Sequence, residues 1–143
     1  MRRPRARGSG PLFLTCGGDA AVMAENIART HANTLTVVLL DLDLAVLAIL
    51  PLSDTDDVEE VANLFYNTSA RVPLPELAVL YVTADPPDGV DIREDAVLAW
   101  HRVRRTHIHA GVPAVDWLLV SNGFVRSMAE TTGSLLPWRS RAI

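Results

Sequence analysis

Apolar positions fall in two rhythms along the chain, and each change of rhythm marks an element. Between residues 34 and 52, in TLTVVLLDLDLAVLAILPL, apolar residues are almost continuous and rich in β-branched types. That composition and length predict two strands joined by a tight turn at Asp41–Asp43, with Pro51 ending the second. ELAVLYV (76–82) predicts a third core strand, and PLFLT (11–15) a short one. AVDWLLV (114–120) and FVRSMAE (124–130) flank SNG, whose Asn-Gly favours a hairpin. Elsewhere the spacing is helical. A helix is expected over about 19–32, with Asp19 as its N-cap and Val22, Met23, Ile27 and Ala28 at helical intervals. A second, over 56–70, opens with acidic residues and carries Val58, Val61, Ala62, Leu64 and Phe65 as its apolar stripe. The third covers 93–110 and is closed by Gly111. The order is helix, strand, strand, helix, strand, helix, strand, strand. It predicts a mixed α/β fold, a central mixed sheet flanked by helices rather than a repeating βαβ series. Residues 1–10 read as a flexible basic arm, 11–133 as one domain and 134–143 as a C-terminal tail.

Composition narrows the functions open to such a domain. With 143 residues, 49% of them hydrophobic and 21% charged, the chain suits one globular unit with a core of its own. Its net charge is −4, although Arg2, Arg3, Arg5 and Arg7 crowd the arm. The acidic remainder is a poor general binder of nucleic acid, so contact with phosphates is expected only through the arm. All 13 basic residues are arginine, which leaves no lysine for a Schiff base or a P-loop. Cys16 is the single cysteine, so no internal disulfide, Cys-x-x-Cys zinc site or redox pair can form. Asp41 and Asp43 interrupt the longest apolar run, and PLFLTC is too short for a signal-peptide core. A soluble, cytoplasmic protein without membrane contact is expected.

Several local patterns carry chemistry elsewhere, and each has a plainer reading here. VVLLDLD followed by LLVSNG is similar to the haloacid dehalogenase phosphatases. Here LAVLAIL follows the aspartates in place of Gly-Thr, lysine is lacking, and Glu130 is the one acid after Ser121. The aspartates therefore read as a solvated turn. In HRVRRTHIHAG, His107 and His109 have a metal-ligand spacing, but on a helix they diverge by about 200°. With Arg102 and Arg105 they are candidates for binding an anion or a partner, the plainer reading being polar groups at a helix C-terminus. CGGDAA places two glycines before a helix without the G-x-G-x-x-G pattern, which reads as an ordinary turn.

Over roughly residues 12–130 the chain resembles the RadC-like branch of the JAB/MPN domain family, the JAMM metalloprotease fold. The strand pair LTVVLLDLDLAVLAILPLS, the helix DVEEVANLFYNTSA, the strand and loop LAVLYVTADP…PDGVD, IRED at a helix start, and HAGVPAVDWLLVSNGFVRSM carry the likeness. The resemblance implies a zinc held by two histidines and an aspartate, with a serine nearby and a glutamate acting on bound water. The histidine positions fall on Thr83 and Asp85, the serine on Ile92, the aspartate on Asp95 and the glutamate near Asn33. Only the aspartate is kept. Two carboxylates fall short of the nitrogen or sulfur ligands zinc prefers, so neither zinc nor any other cofactor is expected, and no general base is evident.

The expectation is thus an emptied metal site in a catalytically inactive JAB/MPN-like domain that acts by binding a protein partner or a second copy of itself. Its acidic residues would take plain duties, Asp91 capping the helix and Asp85 and Asp88 staying solvated. The alternative is a metal-dependent hydrolase with a rearranged site at the 83–95 turn, using Asp85, Asp88, Asp91 and Asp95 for a hard cation. A third reading, an accessory to DNA processing, rests on the arginine arm and the family name. Trp138, in the tail SLLPWRSRAI, is a further binding candidate, and pairing is expected because JAB/MPN-like domains often pair.

Overall fold

A strand that is apolar on both faces needs a layer on each side, and the chain supplies both. The computed structural model describes Leu14 and residues 17–32, 34–86 and 91–133. Five strands, β1 (Leu35–Leu40), β2 (Val46–Leu52), β3 (Ala78–Ala84), β4 (Ala114–Ser121) and β5 (Phe124–Ser127), form one sheet in the order β2-β1-β3-β4-β5. The β3–β4 pair is parallel and every other pair antiparallel, so the sheet is mixed. Four helices accompany it among the described residues: α1 (Gly17–Thr30), α2 (Val58–Ser69), α3 (Glu94–Ala110) and α4 (Met128–Thr131).

Register assigns the two faces. Val37, Tyr81 and Trp117 lie side by side, and Tyr81 reaches His107 on α3, so this face is covered by α3 with α2 packed against it. Ile49, Val38 and Leu80 line up on the other face, where Ile49 shares a groove with α1. Met23, Ala24 and Ile27 of α1 are buried there, and α1 packs on β3, β4 and β5. The middle strand β3 is buried along nearly its whole length, which is why its sequence shows no alternation.

Local chemistry shifts several expected boundaries. α1 begins at Gly17, so Asp19 sits in the first turn rather than at the cap. Asp57 caps α2, its carboxylate accepting from the Glu59 N–H. Arg93, not Asp91, occupies the cap position of α3 and gives no side-chain cap bond. Leu64, expected in the stripe of α2, is 58% exposed, while Val58, Val61 and Ala62 are buried. Pro51 does not end β2 but lies within it. The expected strand over 124–130 stops at Ser127, whose hydroxyl accepts from the Glu130 N–H and starts α4. Asn122 and Gly123, both with positive φ, make the tight turn between β4 and β5 that Asn-Gly favours. No helix among the described residues is long and apolar enough to cross a membrane. The expected arm 1–10, the strand 11–15 apart from Leu14, and the tail with Trp138 fall outside them.

Candidate functional site

The C-terminal end of the parallel pair β3–β4 is where an open α/β sheet leaves a crevice. Here β3 runs two residues past its expected end, so Thr83 stands on the sheet rather than in the turn. A cavity of about 280 Å³ opens beside it, lined by Thr83, Trp117 and Leu119 from the strands, Ala96 and Ala99 from α3, and Pro86. Asp56, Asp91, Arg93 and Asp95 also line it and supply its charge. The floor is apolar and the three carboxylates are exposed at the rim. Thr83 and Asp95 thus share one cavity.

The polar groups of that cavity are largely committed to the protein. The Trp117 indole N–H donates to Thr83 Oγ1 at 2.9 Å, fixing the ring against the strand. Asp95 Oδ1 accepts from the Ala96 N–H at 3.0 Å, which satisfies one of the open donors of the first turn of α3. Ile92 is half-buried and packs against the core. Asp85 is not a third member. It has φ +51°, its N–H donates to the Val120 carbonyl at 2.7 Å, and it lines a separate cavity of about 200 Å³ with Glu25, Arg29, Ser121 and Asn122. The turn out of β3 carries it away from Thr83, so the i, i+2 spacing of a strand no longer holds there. Asn33 and Asp88 lie outside the described residues. Among the described residues no three histidine, cysteine, aspartate or glutamate side chains are grouped closely enough to hold a metal.

The binding candidates on α3 separate as well. Arg102 pairs with Glu59 across α2 and α3, while Arg105 and His109 are exposed. His107 is fully buried and unavailable to an external partner. Its Nδ1 lies 2.8 Å from the Val112 carbonyl and its Nε2 2.6 Å from the Tyr81 hydroxyl. A carbonyl can only accept, so Nδ1 carries the proton and Nε2 accepts from Tyr81. Burial lowers the pKa of His107, against the carbonyl contact, and raises that of Tyr81, so both are neutral. The reading of His107 as a helix-end polar group misses this, because the chain doubles back at Gly111 and brings Val112 under the ring.

Asp116 is a second buried group that the sequence signalled only as an acid inside AVDWLLV. Its Oδ1 accepts from the Trp117 and Ala129 N–H groups, and its Oδ2 from the Ser127 hydroxyl at 2.6 Å. Burial pushes its pKa up to about 6, against the pull of those three hydrogen bonds. It ties β4 to the β5–α4 junction, a structural duty away from the cavity. Asp56 and Arg93 complete the cavity rim, and they were missed because one comes from the loop before α2 and the other from the loop before α3. No family model matches the chain, and no curated protein matches it.

Proposed function

We propose that this protein is a catalytically inactive JAB/MPN-like domain that works by binding another protein. One observation carries the reading: Thr83 and Asp95 meet in one cavity at the β3–α3 crevice, yet its lining contains neither histidine nor cysteine. A hydroxyl already bonded to an indole and a carboxylate bonded to its own helix are poor zinc ligands, and Asp85 is directed elsewhere. What remains is a concave surface with an apolar floor and a carboxylate rim, suited to recognition.

Metal analysis of protein purified without a histidine tag tests this. The parent and an Asp95→Asn variant should both hold far less than one equivalent of zinc or manganese. Near-stoichiometric metal that disappears in the variant would instead establish a hydrolase-type centre at the 83–95 turn.

A further inference from the structure

Among the described residues β2 is the end strand of the sheet, and its outer backbone has a definite pattern. The Thr34 carbonyl accepts from the Ala84 N–H, so residues 34, 36 and 38 address β3, and Leu35 and Val37 address β2. Their register partners Leu52 and Leu50 are therefore spent on β1. Ile49 and Pro51 turn the other way. Proline has no N–H to lose there, which explains why Pro51 is tolerated within the strand. The outer edge thus offers the N–H and C=O of Ile49 and the C=O of Pro51.

Side chains and charges around that edge say what fits it. Leu47, Ile49 and Leu50 are 55%, 41% and 44% exposed, and Val46–Leu52 contains no charge. On the α1 side the strand borders an open groove of about 490 Å³, lined by Val22, Met23, Ile27 and Ile49 among others. Both ends of the strand are acidic, with Asp41 and Asp43 before it and Asp54, Asp56 and Asp57 after it. From residue 32 to residue 70 the sequence has no basic side chain at all. An edge is usually blunted by charge, proline or a covering segment. Among the described residues Pro51 lies within the strand, and Leu14 meets only its approach, donating its N–H to the Leu44 carbonyl. A second copy pairing antiparallel about Ile49 would set one acidic end against the other, so charge argues against self-pairing.

We propose that the outer edge of β2 receives an extended segment of a partner protein, apolar at its centre and flanked by arginine or lysine, which adds a strand to the sheet. Backbone pairing at Ile49 would hold it, its apolar side chains would cover Leu47, Ile49 and the groove, and its basic ends would meet the aspartates. The inference rests on the proposed binding function and names where, and by what chemistry, the partner is held.

The full chain should be titrated with a fluorescent Val-Thr-Val-Thr-Val peptide carrying two arginines at each end, alongside a glutamate-flanked version and one with a central proline. The arginine-flanked peptide should bind saturably, about tenfold or more tighter than either control. Ile49→Lys, at an exposed position, should weaken it by a similar factor without lowering the melting temperature. Asp43→Asn with Asp54→Asn should weaken it and reduce its salt dependence. Hydrogen exchange should slow at the Ile49 amide when the peptide binds. Equal binding of the arginine and glutamate peptides, or indifference to Ile49→Lys, would overturn the proposal. So would a homodimer seen by light scattering that Ile49→Lys dissolves, since the edge would then belong to a second copy. Metal bound through Asp95 would overturn the proposed function while leaving the peptide result standing, so the two failures are distinguishable.

Discussion

At the scale of single residues, the interior holds polar groups of opposite standing. Tyr81 and His107 satisfy each other and the Val112 carbonyl, and Asp116 collects three donors. Among the described residues, Thr36 Oγ1 and Trp100 Nε1 are buried with no hydrogen-bond partner. A hydroxyl left without a partner in an apolar setting costs about 1–3 kcal/mol. Thr36 sits on a fully buried strand position where valine has nearly the same shape and a stronger strand preference. Thr36→Val is therefore expected to stabilise the fold by about 1–2 kcal/mol, read as a higher denaturant midpoint with an unchanged slope. A lower midpoint would show that the hydroxyl has a partner in solution.

At the scale of elements, the sequence disclosed the pieces better than their ends. The run 34–52 and the block 76–82 announced strands because their apolar residues are continuous. In β1 and β3 that continuity follows from burial on both faces, whereas β2 is apolar although none of its residues is buried. The break at Ser127 was not legible, since FVRSMAE has a strand's composition and it is Asp116, eleven residues earlier, that captures the Ser127 hydroxyl and the Ala129 N–H. The candidate site was legible in the same uneven way. Thr83 and Asp95 line one cavity, but the left-handed turn at Asp85 depends on a backbone bond to Val120 that no spacing encodes. Gly111 was plain, because a helix ending before a proline-marked strand needs a residue that accepts positive φ. It has φ +76°, and a Cβ there would meet nothing within 4 Å, so its replacement tests backbone strain alone. Gly111→Ala should cost about 1–2 kcal/mol in urea unfolding. A neutral result would mean that the turn into Val112 relaxes, and the His107 ring contact with it.

At the scale of the whole molecule, two buried titrating groups set opposing dependences on pH. His107 has a folded pKa lowered below 6.5 by burial. Above pH 6.5 it is neutral folded and unfolded, and as pH falls the unfolded chain takes up a proton that the folded chain resists, so its share of stability is lost toward acid. Asp116 is raised from 3.8 to about 6. Its share is fully present below 3.8 and is lost as pH rises through 6, by up to about 3 kcal/mol at 1.36 kcal/mol per unit. Below about pH 6 the two slopes oppose, and the parent protein should show a shallower profile there than either group alone would give. Asp116→Asn removes one slope while keeping the shape: its Oδ1 can still accept from Trp117 and Ala129, and its amide can donate to Ser127. The variant should melt higher than the parent at pH 7.5, differ little near pH 4, and lose stability more steeply between the two. Thermal melts across that range give the answer. Parallel profiles for the two proteins would show that Asp116 is already ionised in the fold, its three donors outweighing its burial.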